Sequence, residues 1–171
     1  MENQITKEML NNMVVLLIDM QDSFIDSEEK KMIISNQIEM LEFCKKNDIP
    51  LMVIEYIDEG KTVDQLLKKI AELPPENVHN ITKSYDNAFS NTGLNELLIS
   101  IQAKTLFVMG VNACACVWET ALCAFNEGYN IITSKDVIAG CGDCSLHDEE
   151  IWFKKNAHYP SSHQEILSVL N

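Results

Sequence analysis

Asn12-Met-Val-Val-Leu-Leu-Ile-Asp19 is the stretch on which the fold turns. Its unbroken apolar run is too continuous for a strand with one wet face, so it predicts a strand buried on both sides, as in a parallel sheet. The run stops abruptly at Asp19, and a carboxylate at the end of a buried strand needs a reason. Outward from it, strand-like runs recur at 51–57, 78–82, 104–110, 129–134 and 156–159. They alternate with helix-like stretches at 31–48, 62–73, 92–101, 114–127, 146–155 and 162–170. Such alternation predicts a parallel sheet with helices on both faces. Thr62 before Gln65 and Ser162 before Glu165 have capping-box spacing, and Asn47 and Gly128 suit helix ends. The expected architecture is a three-layer α/β/α fold with a mostly parallel sheet of about six strands in the doubly wound order 3-2-1-4-5-6. A single domain over 1–171 is expected, since no Pro/Gly/Ser-rich linker, repeat or low-complexity tract divides the chain.

In that order the first and fourth strands are neighbours, and ligands bind in the crevice beyond their carboxyl ends. Three residues converge there. Asp19 ends the first strand, Lys83 follows the third in Lys83-Ser-Tyr-Asp-Asn-Ala-Phe89, and Cys116 follows the fourth in Gly110-Val-Asn-Ala-Cys-Ala-Cys116-Val-Trp-Glu-Thr120. Singly, each has an ordinary reading: a solvated strand end for the charges, small core filling for the thiol. Cys116 also falls at an expected helix N-terminus, where unpaired N–H groups and the positive dipole end favour a thiolate.

These three segments resemble the motifs of the isochorismatase-like cysteine hydrolase superfamily, which includes nicotinamidases and N-carbamoylsarcosine amidohydrolases. Val15-Leu-Leu-Ile-Asp19-Met-Gln-Asp-Ser-Phe24 is similar to its first-strand motif, and Gly128-Tyr-Asn-Ile-Ile-Thr-Ser-Lys-Asp136 continues the pattern. The resemblance implies that Asp19 takes the thiol proton as Cys116 attacks, with Lys83 beside both as a positioning group. It implies an oxyanion site from the backbone N–H groups of Asn112 and Cys116, and a cis peptide at Val111–Asn112. Acylation would release ammonia or an amine, and Asp19 would then activate water against the thioester. Phe24, Tyr85 and Phe89 are expected to line the substrate cleft, with Trp118 or Glu119 on the first helical turn after the nucleophile. Superfamily members that cleave a vinyl ether lack the cysteine, so Cys116 points to hydrolysis of a C–N bond.

Composition narrows the substrate and the partners. The formal net charge is −13, and all thirteen basic residues are lysines. An acidic surface without a basic patch disfavours nucleic acid. Without arginine there is no planar bidentate clamp for a substrate carboxylate, which weakens assignments to carboxylate-bearing compounds. Nicotinamidases carry an Asp-x-His pair and a further histidine after their second strand, whereas Val53-Ile-Glu-Tyr-Ile-Asp-Glu-Gly60 has no histidine. No active-site metal and no cofactor are therefore expected. No run approaches the ~18 apolar residues of a membrane span. With no apolar signal segment at the start and no regular cysteine framework, a cytoplasmic protein is expected.

The remaining cysteines leave alternatives open. Cys141-Gly-Asp-Cys144 superficially resembles a redox dithiol near His147, but as a lone C-x-x-C it reads more simply as a loop with two incidental thiols. Cys114 reads as loop packing, with disulfide formation open under oxidation. Cys44 and Cys123 fit apolar helix faces. Besides a metal-free cysteine amidohydrolase acting on a small amide or ureido compound, two readings stand. One is a catalytically silent binding protein on the same fold; the other is a thiol-redox or metal-binding protein using Cys141 and Cys144. The apolar circumference of Trp118-Glu-Thr-Ala-Leu-Cys-Ala-Phe-Asn-Glu127 exceeds one sheet-facing stripe, so a homo-oligomer, a dimer, is expected.

Overall fold

The computed structural model describes residues 5–141 and 147–169, with the His147 side chain outside the description. A short helix α1 (Lys7–Leu10) leads into β1 (Met13–Ile18), which is buried along its whole length. There follow α2 (Glu28–Asn47), β2 (Leu51–Tyr56), α3 (Asp64–Ile70), β3 (Val78–Lys83), α4 (Leu94–Ser100) and β4 (Thr105–Val111). A π-helical turn (Ala113–Val117) joins β4 to α5 (Trp118–Asn126), and β5 (Asn130–Ile132), β6 (Ile138–Ala139), α6 (His147–Asn156) and α7 (His163–Leu167) complete the order.

The sheet runs β3-β2-β1-β4-β5, every pairing parallel, with helices on both faces. This is the doubly wound order expected from the alternation of elements. The two runs buried on both faces, β1 and β4, lie side by side at its centre, because only there is a strand shielded above and below. The sixth strand differs from expectation. The segment at 156–159 adds one parallel bridge beyond β5, Ile132 to His158, whereas β6 pairs with the far end of β4. Beyond the bridge Pro160, which has no N–H to donate, still accepts the Lys135 N–H at 3.2 Å through its carbonyl.

Helix boundaries move for local reasons. Helix α2 starts earlier than periodicity indicates because the Ser27 side chain accepts the Lys30 N–H at 3.3 Å, with Glu28 and Glu29 in the first turn. Asp48 ends it in the left-handed conformation, φ 53°. Thr62 does not cap α3. Its N–H and hydroxyl both donate to Glu55 Oε1, at 2.7 and 2.8 Å, and the helix begins at Asp64 behind Val63. Ser162 does cap α7, accepting the Gln164 N–H at 3.2 Å. Among the described residues, no helix is long and apolar enough to cross a membrane.

Candidate active site

Strand register assembles the site. Ile18 pairs with Gly110 and Tyr56 with Lys83, so the chain leaves β1, β3 and β4 at one edge of the sheet. Asp19 turns off β1 at φ 52°, a left-handed conformation that aspartate tolerates better than most residues, and its N–H donates to the Ile54 carbonyl at 2.9 Å. Gly110 has φ 140°, and a Cβ there would collide with the Ile18 carbonyl. The missing side chain lets β4 run past the point where sequence alone ends it, so the strand closes at Val111. The Val111–Asn112 peptide is cis, and Asn112 O then accepts the N–H groups of Ala115 and Val117 at 3.1 and 3.2 Å. This tight turn carries Cys116.

Three of the residues singled out from sequence meet here. Lys83 Nζ lies 2.8 Å from Asp19 Oδ2 and 3.3 Å from Cys116 Sγ. It also donates to the Tyr85 carbonyl at 3.2 Å and stands 4.4 Å from the centre of the Tyr56 ring. The lysine is thus a buried hub between carboxylate and thiol. Burial pushes the Asp19 carboxyl above its usual range, against hydrogen bonds from Cys116 and Lys83 that pull it down. The thiol behaves differently from the sequence expectation of a ready thiolate. Burial, the Asp19 charge and the Asp19 hydrogen bond push Cys116 up to about 12, and Lys83 opposes them only in part. Desolvation is the largest of these causes, and it favours a protonated sulfur next to a carboxylate placed to receive the proton.

The expected cleft residues separate. Phe24 is half-buried and meets Tyr56 edge-on at 6.3 Å, one ring removed from Lys83. Tyr85 is 54% exposed and reaches the site through its carbonyl rather than its ring. Phe89 faces Tyr129 at 6.3 Å, and Tyr129 lies beyond the far end of α5 from Cys116. Trp118 and Glu119 are both half-buried on the turn after the nucleophile. The Asn112 side-chain oxygen sits against Gly140, where a Cβ would come within 2.7 Å of it and within 2.5 Å of Lys30 Cε.

Four residues of the site escaped the sequence. Tyr56 packs over Lys83, and Gln21, fully buried, donates to the carbonyls of Tyr56 and Gly60 at 3.0 and 2.7 Å and accepts the Tyr56 N–H at 2.7 Å. Thr120, buried on α5, holds the loop after Lys83 by accepting the Ala88 N–H at 3.0 Å. Asp86 lies on that loop with Oδ1 3.5 Å from Cys116 Sγ. Buried polar side chains need partners, so a glutamine shortly after a buried strand was the one readable signal among them.

Cys114 and Cys141 are joined as a disulfide with Cα atoms 5.3 Å apart, which takes up the bridge left open for Cys114 and corrects the reading of Cys141 as an incidental thiol. Pairing of Val111 with Ala139 brings the segments after β4 and β6 side by side, within the usual Cα range of a bridge. Cys144 lies outside the described residues. Cys44 is buried, its thiol pushed up to about 12 by burial, and Cys123 is half-buried. After β2, the position of the nicotinamidase metal ligands, Glu55 is engaged by Thr62 and the segment to Gly60 holds no histidine, so these residues do not fit such an ion.

A parallel sheet with a buried ion pair and a thiol at its carboxyl edge is the architecture of an α/β enzyme. Residues 13–161 match the isochorismatase domain, and the chain belongs to the isochorismatase family, as an isochorismatase-like hydrolase. The nicotinamidase of Staphylococcus aureus is similar in structure, with a TM-score of 0.78 and 20% identity over 87% of this chain and 98% of that one. The N-carbamoylsarcosine amidase of Thermoplasma acidophilum follows at 0.74 and 19%, over 87% and 95%. An isochorismatase-like hydrolase of Alkaliphilus metalliredigens gives 0.79 and 20%, over 92% and 98%. At these identities the likeness speaks to the fold. No curated protein matches the chain at a significant level.

Proposed function

We propose that this protein is a cysteine hydrolase that cleaves the C–N bond of a small amide or ureido compound through a Cys116 thioester. The observation that carries the reading is Lys83 Nζ placed 2.8 Å from Asp19 Oδ2 and 3.3 Å from Cys116 Sγ. Asp19 accepts the thiol proton as sulfur attacks the carbonyl carbon, and Lys83 stabilises the thiolate that forms. The backbone N–H groups of Asn112 and Cys116 receive the tetrahedral oxygen. As the C–N bond breaks, Asp19 returns the proton to the leaving nitrogen; it then takes one from the water that attacks the thioester. None of these steps is routed through a metal. A cytoplasmic homodimer is part of the same reading: Phe125 of α5 meets Trp152 of α6 edge-on at 5.7 Å yet stays 40% exposed, leaving apolar surface for a second copy.

A panel of small amides and ureas, assayed for ammonia release, tests the activity. Turnover should vanish in Cys116→Ala and Cys116→Ser while thermal unfolding barely shifts, and wild type quenched in turnover should carry an acyl adduct on Cys116. Turnover surviving in Cys116→Ala sinks the assignment. For assembly, light scattering should give twice 19.4 kDa at micromolar concentration, and a persistent monomer mass rejects the dimer.

A further inference from the structure

Asp86 bears on which substrates such a site admits. It is exposed, three residues after Lys83, and its Oδ1 stands 3.5 Å from Cys116 Sγ. The placement is built rather than incidental. Thr120 Oγ1 donates to the Asp86 carbonyl at 3.4 Å while accepting the Ala88 N–H at 3.0 Å, so α5, the helix that follows the nucleophile, also anchors the loop presenting this carboxylate. Asn87 Oδ1 accepts the Phe89 N–H at 2.9 Å and tightens the same loop.

Two carboxylates therefore flank one sulfur, with different surroundings. Asp19 is fully buried and its charge is matched by Lys83; Asp86 is exposed to solvent. A carbonyl carbon under attack lies about 3–3.5 Å from the nucleophile. A nitrogen attached to that carbon, or one atom further out, comes within hydrogen-bond reach of Asp86 Oδ1 when the carbonyl approaches the sulfur from the Asp86 side. A carboxylate accepts N–H donors and attracts cations, and it repels a substrate carboxylate. Lys30, the cation whose side chain approaches Asn112 and Gly140, is ion-paired with Asp26 at 3.0 Å, and the chain has no arginine.

We propose that Asp86 is the specificity-determining residue of this site: it binds an N–H-rich or cationic nitrogen next to the scissile carbon, selecting amino-, amidino- or ureido-substituted amides over anionic ones. The proposal rests on Cys116 as the nucleophile, and its test is chosen to work with or without turnover. Cys116 is modified by a pair of methanethiosulfonates of similar size, one ending in trimethylammonium and one in sulfonate. Each forms a mixed disulfide on the thiol and releases methanesulfinate. Rates at Cys116 are followed by peptide mass, normalised to free cysteine, with Cys116→Ser as blank for the other cysteines of the chain, Cys144 included.

The cationic reagent should react at least about fivefold faster, as one unit charge near 4 Å in a watery mouth implies, and Asp86→Asn should bring the ratio to within about twofold of one. An unchanged ratio in Asp86→Asn, or an anionic preference that disappears in Lys30→Met, overturns the proposal. A second arm compares kcat/KM for matched cationic, neutral and anionic amides in wild type and Asp86→Asn. If amides are hydrolysed with a charge preference indifferent to Asp86, the proposal fails and the hydrolase reading stands. If no amide is hydrolysed but the modification ratio depends on Asp86, the hydrolase reading fails and Asp86 remains the determinant of what the site binds.

Discussion

Lys83 Nζ meets Asp19 Oδ2 at 2.8 Å with both side chains at or below 1% exposure. An ion pair this deep gains little net stability over an apolar pair, yet breaking it leaves one buried charge uncompensated. Lys83→Met should therefore lower stability by about 3–5 kcal/mol in denaturant unfolding, whereas Asp19→Asn combined with Lys83→Met should recover most of that loss. Equal destabilisation in the single and double variants would show that the two charges are not coupled.

The same carboxylate controls the thiol. Burial comes first in pushing Cys116 up to about 12, and the Asp19 charge and hydrogen bond follow, while Lys83 pulls the other way. Asp19→Asn removes two of the upward causes and keeps the downward one. Alkylation of Cys116 by neutral iodoacetamide at pH 8 should accelerate, because more thiolate is present, even as turnover falls by about 10²-fold or more for want of a base. If alkylation slows in step with turnover, Asp19 is not what holds the proton on sulfur. In wild type, burial raises Asp19 above 3.8, and a protonated Asp19 accepts nothing. The acid limb of kcat/KM should accordingly lie above the ordinary carboxylate range, with activity rising as pH climbs through it.

How much of this was legible depended on whether a residue announced itself within its own segment. Met13–Ile18 and Thr105–Val111 are continuous apolar runs, so their burial, their parallel pairing and the charge at the end of β1 could be read directly. Asp19 and Cys116 were legible because each ends or follows such a run, and Lys83 because it closes the shorter, mixed strand Val78–Lys83. Asp86 was not, since an exposed aspartate in a polar loop looks like any other, and only the Thr120 anchor brings it to the sulfur. The Cys114–Cys141 bridge was equally hidden. It depends on β6, a two-residue strand too short to show periodicity. The expectation of a thiolate was drawn from the helix end alone, whereas burial of the sulfur and the neighbouring Asp19, both invisible in the segment, push the thiol up.

Away from the site, His163 is buried with Nδ1 2.8 Å from Asp136 Oδ2 and Nε2 3.0 Å from Glu39 Oε2, tying α7 to α2 and to the segment before β6. Burial pushes Asp136 up, but hydrogen bonds from Ser134 and His163 outweigh it and leave its carboxyl below the usual value. A depressed folded-state pKa contributes stability that is present above the unfolded pKa, near 3.8, and is lost as pH falls through the folded one. Ser134→Ala should raise the midpoint of acid unfolding while leaving stability at pH 7 lower by about 1 kcal/mol. An acid midpoint identical to wild type would remove Asp136 from the groups that resist acid.

Gly110 offers the sharpest test of how backbone places chemistry. It pairs with Ile18, one residue before Asp19, and lies two residues before Asn112. Its φ of 140° is closed to most side chains, and a Cβ would run into the Ile18 backbone rather than into a movable side chain. Its N–H donates to the Val137 carbonyl at 3.1 Å, so the strand cannot slide away without loosening β6 as well. Gly110→Ala should thus lower stability by more than about 2 kcal/mol and reduce kcat/KM beyond what stability explains, because β1 and β4 part where Asp19 and the nucleophile turn begin. Gly93→Ala is the control. Nothing lies within 4 Å of a Cβ there, so its unfolding should stay within about 0.5 kcal/mol of wild type. Gly110→Ala indistinguishable from Gly93→Ala in both thermal unfolding and turnover would mean that the close approach of the two strands does not set the geometry between Asp19 and Cys116.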